Sequence, residues 1–246
     1  MDVGVVVFVV MVVLVAGVAQ SVTGFGFALV AVPPLIAVLE PADAIVMISL
    51  LALVNSALVL HQTAAAVPWR SVTLMFACSA AAMPAGLVVL LVAPSDALRI
   101  AVGVTSVVMA AALVSGLRIG GNGTTGGVIA GATSGVLLTS TGMNGPPVVL
   151  HLTDQQLPPA EFRGALSAFF LASGLLSLVV FAIGGVVSER ALLYSAVGAP
   201  AVLIASQAGR ALVDRVDQRT FRFLVLALLA VTASIAVTTS AARLVT

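Results

Sequence analysis

Two short stretches decide how this chain folds: Gln20-Ser21-Val22-Thr23-Gly24-Phe25-Gly26 and Ser140-Thr141-Gly142-Met143-Asn144-Gly145-Pro146-Pro147. Each sits in a long apolar run that would otherwise read as one helix. Residues 3–39 carry no charge, which is too long for a single ordinary crossing, and Glu40 and Asp43 close the run. Gly permits backbone conformations and close approaches that other residues resist. Pro removes an N–H and blocks a continuing helix, and Pro33-Pro34 adds a second interruption to the first run. Both runs are therefore expected to break at membrane depth. Lipid cannot satisfy the backbone groups so freed, so they must be buried in protein or face a wet cavity.

The surrounding composition requires a membrane. The 246 residues are 61% hydrophobic and 8% charged, with a mean hydropathy of +1.25, where a soluble domain would carry roughly a quarter charged residues. Too few charges exist to coat a globule, which excludes a water-soluble fold. A crossing helix needs ~20 apolar residues, so the length allows about eight to ten crossings and no separate soluble domain. Beyond the first run, apolar segments fall at 44–60, 71–93, 97–117, 127–152, 164–183, 191–207 and 223–242, joined by short links that mostly carry an Arg. Residues 206–222, with Arg210, Arg215, Arg219 and Arg222, must lie at or outside the membrane surface, because a central Arg costs ~2.5–3.5 kcal/mol. The chain has no Lys, and its ten Arg balance nine acidic residues, so it offers no basic face for nucleic acid. Cys78 is the single cysteine, which excludes an intrachain disulfide and a cysteine metal cluster. Met1-Asp2 gives no positive n-region, so the first run is expected to be a membrane segment rather than a cleaved signal.

The two breaks belong to an internal repeat. Thr23-Gly24 recurs as Thr141-Gly142 and Pro41-Ala42-Asp43 as Pro159-Ala160-Glu161, both at an offset of 118; Gly86 and Arg99 recur as Gly209 and Arg222 at 123. Asn55 falls opposite Ser173, giving each half a polar residue in mid-helix. The expected organisation is a first repeat over 1–117, a linker over 118–126 and a second repeat over 127–246. If each broken run folds back as a hairpin of two short helices and three helices follow, the halves have opposite orientation. Seven Arg (70, 118, 163, 210, 215, 219, 222) then face three (99, 190, 243); single crossings would give six against four. Positive-inside bias favours the hairpins and puts both termini outside the cytoplasm. Inverted repeats with broken helices are a recurring secondary-transporter plan.

A helix that restarts at a break turns its N-terminal N–H groups, the positive end of its dipole, into the cavity. Around them the sequence places Ser21, Thr23, Gly24, Gly26, Ser140, Thr141, Gly142, Asn144 and Gly145, with Asn55 and Ser173 from the following helices. No Arg lies within ten residues of either break in sequence. These are the candidate substrate-binding residues, forming an anion site without a buried cation. The plainer reading of any one Gly, Ser or Thr is close helix packing.

The Gly-rich break followed by a Pro pair, its echo at mid-chain, the 4+4 layout and the Gly/Arg pattern late in each half resemble the TauE/SafE sulfite-exporter family, also called toluene-sulfonate uptake permeases. The resemblance spans essentially the whole chain. Phe25-Gly26-Phe27 is poorer in Gly than the family's first break often is, and Asn144 stands where the second usually has Gly. The resemblance implies a bacterial inner-membrane transporter of sulfite, sulfonates or related sulfur-containing anions.

A Gly-x4-Gly-Lys loop cannot exist without Lys, so transport is expected to run on an ion gradient, the substrate's own gradient or an external partner. Asp43 and Glu161 are the repeat-matched candidates for coupling a proton or cation; as first-turn acids they equally serve the helix N-terminus. His61 and His151 are expected at the interface. A passive anion channel lined by the same breaks is the main alternative. A remote one is an intramembrane serine hydrolase using Ser134 and His151, for which hydroxyl and imidazole must meet. No cofactor or metal is expected. The partners are a small anion and the bilayer, and the sequence does not fix oligomeric state, a homodimer included.

Overall fold

The computed structural model describes residues 2–115 and 123–213. Within them lie nine α-helices and no strand: α1 (Val3–Thr23), α2 (Phe27–Leu35), α3 (Pro41–Thr63), α4 (Trp69–Val92), α5 (Ser95–Ser115), α6 (Thr124–Thr141), α7 (Gly145–Asp154), α8 (Pro159–Ile183) and α9 (Glu189–Val213), with a 3-10 turn at Ala64–Ala66. Much of the linker expected over 118–126, the apolar segment 223–242 and Arg118, Arg215, Arg219, Arg222 and Arg243 fall outside the described residues. Among the described residues, five helical spans are long and apolar enough to cross a membrane: Val3–Thr23, Pro41–His61, Trp69–Val92, Ala160–Ile183 and Glu189–Leu212. Val-rich α1 is helical despite the β-preference of its residues, because only a helix satisfies every backbone group within one segment in lipid. Asp2 caps it, accepting from the Gly4 N–H at 2.8 Å.

Both expected breaks exist, displaced toward one end of each run. At the first, Gly24 has φ +84° and ends α1; at the second, Gly142 has φ +76° and ends α6. That left-handed conformation terminates a helix at little cost only for Gly. Each broken run is therefore a long arm and a short arm, 21 and 9 residues for α1–α2 and 18 and 10 for α6–α7, rather than the two short helices expected. Pro33 and Pro34 lie inside α2, in its last turn.

Close glycine contacts give the helix directions. A Cβ at Gly131 would come within 2.3 Å of the Met75 carbonyl, and one at Gly135 within 2.2 Å of the Ser79 carbonyl, so α4 and α6 run the same way with their backbones touching. α1 and α9 also run together, Gly198 lying against Val13, Gly17 against Ala205 and Gly209 against Ser21. In contrast α3 and α8 are antiparallel: Gly164 meets Thr63 and Gly174 meets Leu53. Several contacts recur at the sequence offsets noted above. Gly86 lies against Thr139 and Gly209 against Ser21; Gly24 lies against Arg163 and Gly142 against Ile45.

The short arm α2 is buried along nearly its whole length and forms one core with Val9, Val13 and Ala16 of α1, Met47, Ile48 and Leu51 of α3 and Val102 of α5. Arg99 fastens the start of α5 to the α2–α3 turn, donating from Nε to the Ile36 carbonyl at 3.0 Å and pairing with Glu40 at 3.6 Å and Asp96 at 3.3 Å.

Candidate functional site

The two breaks come together. Residues 26–29 of the first and 142–146 of the second line one cavity of about 40 Å³, closed by Ile48, Ser49, Ala52 and Leu53 of α3, Phe170 and Gly174 of α8, Leu138 and Gln20. These positions are the middle turns of α3 and α8. A water needs ~10–15 Å³ on this measure, so the space suits a few non-hydrogen atoms.

The breaks contribute unequally. In α2 the first intrahelical bond runs from the Val30 N–H to the Gly26 carbonyl at 3.0 Å. Phe27, Ala28 and Leu29, whose N–H groups precede it, are residues of the wall, so the positive end of the α2 dipole stands beside the cavity. In α7, Pro146 and Pro147 occupy the positions that match Ala28 and Leu29 at the offset of 118, and they bring no N–H. What α7 offers is the Gly145 N–H and the Asn144 side chain. Because Pro146 stands at the equivalent position of α7, Ala28→Pro should be accommodated in α2. Losing one donor to a charged group, worth ~1.5–3 kcal/mol, is expected to weaken anion binding about tenfold to a hundredfold with little change in melting temperature; titration of the purified variant checks it.

Of the sequence candidates, Gly26, Gly142, Asn144 and Gly145 belong to the wall. The others stand behind it, with their polar atoms in internal bonds. Thr23 Oγ1 accepts from the Phe25 N–H at 3.0 Å and has the Phe25 and Ala19 carbonyls as acceptors for its one proton, fixing the first break. Ser140 and Thr141 donate to the Val136 and Leu137 carbonyls at 2.7 and 2.9 Å. Ser21 donates to Asn55 Oδ1 at 3.2 Å, and Asn55 donates to Gln20 Oε1 at 3.0 Å. Ser173 donates to the Phe169 carbonyl at 2.7 Å and accepts from Asn144 at 3.3 Å. Gly24, also behind the wall, packs on Arg163 and Leu166.

Gln20 and Arg163 were missed. Gln20, 3% exposed, lines the cavity, and its sequence signal was a lone amide in a run of aliphatics. Arg163 is remote from both breaks in sequence, yet it donates from Nη2 to the Ser21 carbonyl at 3.1 Å beside Gly24. A cation therefore stands next to the first break, although it does not belong to the wall.

The proposed coupling acids lie in first turns, Asp43 in α3 and Glu161 in α8. Asp43 accepts from Ser188 at 2.5 Å, and Ser188 in turn accepts from the Ala191 N–H, joining the starts of α3 and α9. His61 is exposed at the end of α3. His151, in the last turn of α7, is 2% exposed and lies against Gly127. Its Nε2 meets the Gln155 amide at 2.9 Å, while Ser134 donates to the Asn144 carbonyl at 2.6 Å. The hydroxyl a hydrolase would need is thus holding the second break in shape.

The described residues are all helical, and their two interrupted helices meet in one small cavity, a plan that recurs in secondary transporters. Residues 9–235 match the Sulfite exporter TauE/SafE family, and the chain belongs to it. It is accordingly a transporter and not an enzyme. A relative from Cupriavidus necator, described as a probable sulfite/organosulfonate exporter TauE, is 27% identical over 202 residues, 78% of this chain and 77% of that protein. No solved structure matches.

Proposed function

We propose that the protein is a secondary carrier for a small sulfur-bearing anion, sulfite or a short organosulfonate, built as two inverted repeats over 1–117 and 127–246. The carrying observation is the single cavity lined by both breaks at the middle turns of α3 and α8. Antiparallel α3 and α8, the equivalents of one another in the two halves, support the inversion, as do the matched glycine contacts. The α2 N-terminus favours negative charge, and the name carried by the Cupriavidus relative supports sulfur oxyanions as the class. The cavity is better sized to sulfite than to an aryl sulfonate. Arg70, Arg163 and Arg210 lie toward one end of the bundle and Arg99 and Arg190 toward the other. Positive-inside bias makes the first end cytoplasmic and leaves the N-terminus outside, in an inner membrane. Proteoliposomes loaded with unlabelled sulfite test the carrier: saturable counterflow of radiolabelled sulfite is expected, whereas unsaturable electrogenic flux would make the protein a channel.

A further inference from the structure

We infer that Asn55 and Ser173 are positioning residues that turn the two cavity amides, Gln20 and Asn144, with their N–H edges toward the ligand; the inference rests on the anion-carrier reading above. The orientations follow from groups that can only accept. Asn55, fully buried, points its Nδ2 at the Gly17 carbonyl, 3.5 Å away, and at Gln20 Oε1, 3.0 Å away. A backbone carbonyl has no proton to give, so that edge of Asn55 is its NH2, and its Oδ1 accepts from Ser21. Gln20 must then accept through Oε1, which leaves its Nε2 to donate to Ser56 Oγ at 3.1 Å. An amide nitrogen carries two protons, and Gln20, on the wall, keeps the second for the cavity.

The other half reaches the same end by a different route. Ser173 spends its single proton on the Phe169 carbonyl at 2.7 Å, so its oxygen accepts, and Asn144 must present Nδ2 to it at 3.3 Å. Asn144 likewise keeps one N–H for the cavity it lines. Asn55 and Ser173 lie 118 residues apart, the spacing of the breaks themselves. A free carboxamide offers a carbonyl as readily as an N–H and would serve a cation as well as an anion. Held in this way, Gln20 has its carbonyl occupied by Asn55 and Asn144 has its nitrogen edge fixed by Ser173, so each amide keeps an N–H toward the cavity. Selectivity for an acceptor-rich anion is thus set one layer behind the wall.

Calorimetric titration of the purified full-length protein with sulfite tests the inference. Gln20→Met and Asn144→Leu should each weaken binding about tenfold to a hundredfold. Asn55→Asp offers Gln20 only acceptors and should turn its carbonyl toward the cavity, with a comparable loss; Ser173→Ala should release Asn144. The distinguishing result is coupling: Asn55→Asp should add little in the Gln20→Met background, and Ser173→Ala little in Asn144→Leu. Additive losses, or wild-type affinity in Ser173→Ala, would overturn the orientation and leave the carrier standing. Ser173→Ala deletes one hydroxyl, so it decides the matter even if Asn55→Asp does not fold. Failure of the wild type to bind sulfite would remove both readings.

Discussion

Gly135→Val is expected to yield no monodisperse protein from detergent-solubilised membranes. A Cβ at Gly135 would stand 2.2 Å from the Ser79 carbonyl oxygen and 2.8 Å from two other Ser79 backbone atoms. None of these is the end of a flexible side chain, so α4 and α6 could accept the new carbon only by separating. Separation would also open the contacts at Gly86 and Gly131, where a Cβ would come equally close to backbone. Overpacking usually costs ~1–3 kcal/mol when side chains can shift; with backbone on both sides the cost should exceed that range. Size-exclusion chromatography of the variant checks it. A profile like that of the wild type would mean that the two helices do not touch as described.

Asn144→Asp should abolish anion binding while leaving the fold in place. Asn144 stands at the N-cap position of α7 and lines the cavity, and its side chain makes no capping bond there, so Asp in its place removes none. The new carboxylate adds no bulk, yet it stands where the substrate must sit. Two like charges 4 Å apart repel by about 4 kcal/mol at an effective dielectric of ~20, which corresponds to roughly a thousandfold loss of affinity. Titration of the variant with sulfite measures this directly. Unchanged affinity in a folded variant would place the anion elsewhere.

The sequence carried the places where the helices stop. Gly24 and Gly142 were legible because a glycine in a long lipid-facing run, followed by more Gly or by Pro, has few other uses, and the offset of 118 tied the two together. The meeting of both breaks in one cavity was legible for the same reason. The hydroxyls were harder to read. Ser140, Thr141 and Ser173 each donate to the carbonyl four residues earlier, a local bond open to any Ser or Thr in an apolar helix, and spacing alone does not distinguish it from a ligand contact. Pro146 and Pro147 were read as helix breakers, which hid their other consequence: they strip α7 of the donors that α2 keeps. Arg163 could not be found from spacing, because only the crossing of α8 over the first break brings it to Ser21.

The central claim is that one ligand occupies both breaks at once, and site protection tests it most directly. Cys78 lies against Gly131 in the α4–α6 contact, and Cys78→Ala removes it without adding bulk. In that background Ala28→Cys and Gly145→Cys place one thiol on each break, and both keep their backbone N–H. Methanesulfonate, which leaves thiol reagents intact where sulfite would consume them, serves as the ligand. It is expected to slow alkylation of both thiols, with the same half-maximal concentration at each. Protection of one thiol alone, or of the two at different concentrations, would contradict a single site shared by the two breaks.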